Sequence, residues 1–118
     1  MASYIIEGEH RLEGRVKASG SKNAALPIIA ASILNCGTVE LHNVPVIRDV
    51  IIMLNILEML GCKIQRFDDK IIIDSSNACG YEIPHELMNK MHSSVMLAGA
   101  IIGRNRKAIF SYPGDYDI

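Results

Sequence analysis

A cation and an amide stand where a long apolar segment begins. Lys22 and Asn23 follow Ser-Gly-Ser and precede the run AALPIIAASIL, so they fall in the first turn of a predicted helix. The free backbone N–H groups and the dipole of a helix start favour negative charge, and a lysine there opposes the dipole. One interpretation is that this helix start binds an anion. The other is that Ser19 or Ser21 caps the helix and Lys22 is a solvated surface residue.

Composition narrows the classes of protein that would use such a site. The 118 residues suffice for one small domain, and 49% apolar with 21% charged residues is typical of a globular chain. Twelve basic and 13 acidic residues give a net charge of −1, which does not favour a nucleic-acid-binding surface. The first residues lack the features of a signal peptide, and no window has the roughly 18 apolar residues of a membrane span. We therefore expect a cytoplasmic protein without membrane insertion.

The cysteines give no sign of a metal or disulfide site. Cys36, Cys62 and Cys79 are odd in number and widely spaced, which fits neither a disulfide framework nor a paired-cysteine metal site. We expect all three to be small buried residues in a reducing compartment.

The elements that must position Lys22 alternate between strand and helix. The apolar periodicity predicts strands at residues 4–9, 11–19, 38–44, 62–67, 70–76 and 107–112, and helices at residues 21–35, 46–61 and 83–105. Gly37 and Gly61 are the expected helix stops, and Pro27 is tolerable only because it lies near a helix start. The order of elements predicts a mixed class, α/β or α+β.

The second and third predicted helices are apolar around most of their circumference. One small sheet cannot cover such surfaces, so we expect an incomplete unit that self-associates as a homo-oligomer through uncovered helices. The sequence also ends at Ile118 within a turn-like segment, which strengthens the expectation of a truncated unit.

Four segments follow one another at characteristic spacing: SGSKNAALPI, LHNVPVIRDVIIMLNILEMLGCKI, MNKMHSSVMLAGAIIGR and SYPG. In this order they resemble the UDP-N-acetylglucosamine 1-carboxyvinyltransferase family of enolpyruvyl transferases, which acts in peptidoglycan synthesis. The segment SKNAALP is closer to this branch than to the shikimate-pathway branch, which carries a DKS-type signature. The resemblance covers the whole chain and corresponds to the N-terminal portion of the family's longer enzymes.

The resemblance implies a fold, a reaction and a set of site residues. The fold would be a βαβαββ-type repeat of an inside-out barrel, with residues 1–19 as strands of the second domain and residues 20–118 as one repeat of the first, ending in the catalytic loop. The reaction would transfer enolpyruvyl from phosphoenolpyruvate to the 3-hydroxyl of UDP-N-acetylglucosamine and release phosphate. Lys22 and Asn23 match the pair that holds phosphoenolpyruvate. No metal or organic cofactor is implied.

Two positions depart from the family pattern. His92 stands where the family carries an arginine at the nucleotide-sugar position, and imidazole offers fewer donors and only partial charge. At the general-acid position, ungapped alignment places Tyr116, and a one-residue gap places Asp115 instead. We expect the 118-residue polypeptide alone to be catalytically inactive. The alternative is a degenerate stand-alone domain that binds ligand or self-associates without catalysis.

Overall fold

The computed structural model describes residues 2–91 and 95–111 of the chain. The chain runs from an extended N-terminal segment into alternating helices and strands. In chain order these are α1 (Lys22–Ala31), a 3₁₀ turn (Ser32–Asn35), β1 (Thr38–His42), α2 (Arg48–Met59), β2 (Lys63–Arg66), β3 (Lys70–Asp74), α3 (His85–Met88) and α4 (Val95–Asn105). The predicted mixed class of helix and sheet is confirmed.

The three strands form one antiparallel sheet in the order β1-β3-β2, with β3 in the centre. Val39, Ile73 and Ile64 lie side by side across it, and Ile73 is fully buried. Glu40 lies on the opposite face, where its carboxylate is 2.7 Å from His42 Nε2 and 3.6 Å from Lys70 Nζ. The period of two predicted from the sequence thus separates an apolar face, packed on the core, from a polar one.

The core lies where α1, α2 and α4 pack together with the apolar face of the sheet. Each of the three helices and the central strand contributes side chains that are almost fully buried, among them Leu26, Ile29, Met53, Ile56, Leu57, Ile73, Leu97 and Ile101. This packing fixes the angle at which α1 presents its first turn, because the middle of α1 is held between α2 and α4.

Three predicted elements differ from the structure. Residues 2–21 contain no strand, and Tyr4, Leu12 and Val16 are more than 90% exposed. An alternating sequence specifies the faces of a strand but does not supply the neighbour with which it must pair. The single helix predicted for 83–105 is two helices, α3 and α4, with non-helical residues 89–91 between α3 and the gap in the described residues. Within 107–111 the predicted last strand is reduced to one bridge between Ile109 and Glu82.

The expectation that the second helix stays uncovered is wrong. Most apolar residues of α2 are buried against α1, the sheet and the rest of the core, and Ile51 and Met59 are its exposed apolar residues. Exposed apolar side chains also lie on α1, the 3₁₀ turn and α4, where Ile28, Leu34, Val95, Met96 and Ile102 are between 42% and 50% exposed. We call these five residues the α1–α4 face.

The expectation for the cysteines is correct only for Cys62. Cys62 is buried beside the end of α2, whereas Cys36 and Cys79 are exposed. Cys36 ends the 3₁₀ turn in the left-handed conformation, with φ 52°, so the helix stop predicted at Gly37 falls one residue earlier. Sequence spacing could not reveal this, because a left-handed position usually carries Gly or Asn.

Candidate functional site

The first turn of α1 is the candidate site, and its cap is Ser21. The Ser21 side chain accepts a hydrogen bond from the N–H of Ala24 at 3.3 Å, and its backbone is extended, with φ −81° and ψ 128°. Lys22 and Asn23 are the first two helical residues, and both are exposed. The two interpretations of this segment are therefore compatible: Ser21 caps the helix, and the Lys22 ammonium remains accessible.

Gly20 positions this turn by allowing two segments to come very close. A Cβ atom at residue 20 would lie 1.7 Å from the carbonyl oxygen of Asn43 and 3.0 Å from Cδ of Pro45. Asn43 itself is in the left-handed conformation, with φ 56°, and its N–H donates to the carbonyl of Asp69 at 3.0 Å. The loop after β1 therefore supports the start of α1, and only glycine leaves room for it.

Lys22 forms an ion pair that joins two helix starts. Its Nζ lies 2.5 Å from Oδ2 of Asp49, which is in the first turn of α2. The Lys22 side chain is 50% exposed and that of Asp49 is 23% exposed. Negative charge at a helix start is favourable and positive charge there is unfavourable. The Asp49 carboxylate therefore balances the Lys22 charge and offsets its unfavourable interaction with the dipole of α1. Two N–H donors of the ammonium remain for a further acceptor.

An open cleft adjoins the start of α1. It has a volume of about 220 Å³ and lies between the first two turns of α1 and the end of β1 with its following loop. Its walls are formed by Gly20, Ser21, Ala24, Ala25, Ile28, Leu41, His42, Asn43 and Val44. The cleft thus combines the free N–H end of a helix with apolar walls and the polar side chains of Ser21, His42 and Asn43. This is the usual make-up of a small-molecule site.

Several predicted site residues lie outside the described residues. These are His92, Tyr116 and Asp115, so the general acid and the nucleotide-sugar contact stay predictions. Within the described residues, no group of three His, Cys, Asp or Glu side chains is arranged to hold a metal ion. Among the same residues, no helix is long and apolar enough to span a membrane.

Among the described residues, the two groups with clearly shifted pKa values lie away from this site. Burial raises the pKa of the Cys62 thiol to about 11, an effect that the positive charge of Arg104 partly offsets. Hydrogen bonds from the side chain and the N–H of Ser76 lower the pKa of Asp74 at the end of β3. Both shifts have structural causes, so neither marks a second centre of proton transfer.

Sequence reasoning missed Asp49 and the role of Gly20. Asp49 belongs to the segment NVPVIRD, and its place after a proline, at a helix start, is a recognisable signal for a first-turn acid. Its partner, however, is 27 positions earlier in the chain, and only the packing of α1 on α2 brings the two together.

Comparisons with known proteins agree with the fold. The chain matches the EPSP synthase (3-phosphoshikimate 1-carboxyvinyltransferase) family over residues 6–118. It is 46% identical over 118 residues to UDP-N-acetylglucosamine 1-carboxyvinyltransferase 2 of Caldanaerobacter subterraneus subsp. tengcongensis, covering all of this chain and 28% of that protein. It is 40% identical over 114 residues to the protein of the same name from Carboxydothermus hydrogenoformans, covering 97% of this chain and 27% of that one.

A solved structure shows the same relationship in three dimensions. The enolpyruvyl transferase NikO from Streptomyces tendae superposes with a TM-score of 0.71 at 27% identity, over 83% of this chain and 23% of that chain. The chain therefore spans just over a quarter of the length of the curated relatives, as expected for a resemblance to the N-terminal portion. On the family match over residues 6–118, this chain belongs to the EPSP synthase family of enolpyruvyl transferases.

Proposed function

We propose that the chain is part of an enolpyruvyl transferase that moves the enolpyruvyl group of phosphoenolpyruvate to the 3-hydroxyl of UDP-N-acetylglucosamine, a step of peptidoglycan synthesis. The observation that carries the proposal is the Lys22 ammonium, which is half exposed in the first turn of α1. Ser21 and Ala24 line an open cleft at the start of the same helix, although Lys22 and Asn23 are not among its walls. The names of the relatives support the choice of substrates. The same proposal places the protein in the cytoplasm.

In this proposal Lys22 and Asn23 bind phosphoenolpyruvate. An ammonium beside free helix N–H groups attracts a phosphate or carboxylate, because both the charge and the helix dipole act in the same direction on an anion. The Asn23 amide can donate to a substrate oxygen and accept from a hydroxyl group. The general acid would be Tyr116, or Asp115, and His92 would contact the nucleotide sugar.

Isothermal titration calorimetry of the 118-residue chain tests the anion site. We expect phosphoenolpyruvate to bind, and Lys22→Ala to weaken that binding at least fivefold, because a charge-assisted contact contributes about 1.5–3 kcal/mol. Lys90→Ala is the matched control, since Lys90 is an exposed lysine next to α3. Equal affinities of the wild-type chain and Lys22→Ala would contradict the proposal, and so would a wild-type chain that binds no phosphoenolpyruvate.

We further propose that the 118-residue polypeptide alone does not complete the transfer. It spans 28% of a relative that is 46% identical, and the proposed reaction needs groups on both sides of a cleft. Phosphate release from phosphoenolpyruvate, measured with and without UDP-N-acetylglucosamine, should stay at the level of the buffer. Release that depends on the sugar nucleotide would show that the chain is a complete catalyst.

A second candidate function, self-association, is favoured by the α1–α4 face. These five partly exposed side chains leave apolar area in water that a second copy could cover, at about 25 cal/mol per Å². We propose a homodimer through this face. Light scattering at micromolar concentration should give a mass above 13.0 kDa. Ile102→Lys should reduce that mass, whereas Val46→Lys, at an exposed site before α2, should not; a monomeric wild-type chain would refute the dimer.

A further inference from the structure

The Lys22–Asp49 ion pair occupies the place where an anion would bind. One carboxylate oxygen of Asp49 already contacts the ammonium at 2.5 Å, and the carboxylate is the less exposed of the two partners. The pair therefore sits between the first turn of α1 and the first turn of α2, with Lys22 as its outer member.

The charges explain why this pair forms without a ligand. Lys22 begins α1, where the dipole repels a cation, and Asp49 lies in the first turn of α2, where the dipole attracts an anion. Contact with Asp49 offsets the repulsion between the Lys22 charge and the dipole of α1. It also adds an attraction for the Asp49 carboxylate to the one that the dipole of α2 already provides. The positive charge of Lys22 is thus compensated before any substrate arrives, and a ligand that offers only a negative charge gains little by replacing Asp49.

We propose that Asp49 is the internal counter-ion of Lys22 and sets the specificity of the anion site. An incoming anion must share the ammonium with the Asp49 carboxylate or displace it, and both the repulsion and the lost contact lower its affinity. Anions whose main contact is with the ammonium are therefore selected against, whereas a substrate that also contacts other residues is retained. This inference rests on the proposed anion-binding role of Lys22 and names the residue that tunes it.

Inorganic phosphate is the simplest probe, because it makes few contacts besides the ammonium and the helix N–H groups. Chemical shifts of the backbone amides of residues 21–24 would be followed by NMR while phosphate is added to the 118-residue chain. We expect Asp49→Asn to bind phosphate about two- to fivefold more tightly, as expected when a half-exposed ion pair no longer competes. Asp49→Glu keeps the negative charge and should bind phosphate with the affinity of the wild-type chain. Glu86→Gln, which removes one negative charge from the first turn of α3, should leave it unchanged.

A second readout needs no anion. The rate of acetylation of the Lys22 amine, measured by mass spectrometry relative to that of Lys90 in the same molecule, should rise in Asp49→Asn, because the amine loses its partner. Phosphate affinity in Asp49→Asn that is unchanged or lower, or a relative acetylation rate that does not rise, would overturn the inference. Neither result would affect the proposed function, which depends on the loss of phosphoenolpyruvate binding in Lys22→Ala.

Discussion

Gly20→Ala should destabilise the protein and disturb the start of α1. The added Cβ would lie 1.7 Å from the carbonyl oxygen of Asn43, so the two segments must separate by at least 1.3 Å to reach the shortest contact that real Cβ atoms show. Other contacts hold both segments in place. The Asn43 N–H is bonded to Asp69 at 3.0 Å, and α1 is held by its buried residues. The backbone of Gly20 is not left-handed, so the requirement is for space and not for conformation.

Overpacking of this kind costs about 1–3 kcal/mol of unfolding free energy. For a chain of 118 residues, each kcal/mol lowers the melting temperature by about 4 °C, where the ranges for smaller and larger domains meet. Thermal and urea unfolding followed by circular dichroism would measure both quantities. Separating residue 20 from the Asn43 carbonyl would displace the first turn of α1. We therefore expect the Lys22–Asp49 contact to weaken and acetylation of Lys22 to become faster.

Gly99→Ala is the control for this substitution. Gly99 lies inside α4, and a Cβ there would meet nothing within 4 Å, so the change should stabilise the helix by about 0.5–1 kcal/mol. A lower unfolding free energy for Gly20→Ala and a higher one for Gly99→Ala would confirm that the surroundings of both glycines are correct. A Gly20→Ala protein as stable as the wild type would refute the close approach of residue 20 to the Asn43 carbonyl.

Three further predictions concern two buried groups, the Cys62 thiol and the Ser75 hydroxyl. With Ellman's reagent at pH 8, Cys36 and Cys79 should react quickly and Cys62 slowly, because burial raises the pKa of Cys62 to about 11; three equal rates would contradict this. Since that thiol must stay protonated in the fold, its contribution to stability should be complete below pH 9 and fall as the pH rises toward 11. The measurement is the difference in unfolding free energy between the wild type and Cys62→Ala across that range. Ser75→Ala should cost about 0.5–1.5 kcal/mol, because the buried hydroxyl lies 3.3 Å from the carbonyls of Ser32 and Gly37, whereas Ser3→Ala, at an exposed position, should cost nothing measurable in the same unfolding assay.

The elements that sequence reasoning located correctly are those with strong local signals. The hairpin of β2 and β3 follows from two short strand-like runs on either side of Asp68-Asp69. Helix α2 follows from its apolar periodicity and from Gly61, whose φ of 106° ends it. These features depend on residues within one or two turns of each other. Local chemistry also placed Lys22 in the first turn of α1 and narrowed its cap to Ser19 or Ser21, of which the structure shows Ser21.

The features that sequence reasoning missed depend on partners far away in the chain. The segment before α1 alternates like a strand, but no strand pairs with it in the described part of the chain, so it stays extended and exposed. We predicted an uncovered apolar surface on α2 because the sequence does not show how α1 and the sheet pack against this helix. Arg104 is similar: it donates to the carbonyl of Ile33 at 2.7 Å, a contact between α4 and the 3₁₀ turn that no spacing rule predicts.

The lysine at the start of α1 shows how a local anomaly can point to a distant cause. The helix dipole argues against a cation in that turn, and a cap at Ser21 explains the helix start but not the lysine. The structure provides the explanation. The Asp49 carboxylate at the start of α2 stabilises the Lys22 ammonium, and the close approach at Gly20 holds α1 where these two groups meet. A charge that is unfavourable for its own helix is thereby paired and yet half exposed. The proposed anion-binding role of Lys22 requires this combination, because a fully buried ion pair would leave the ammonium out of reach of a ligand.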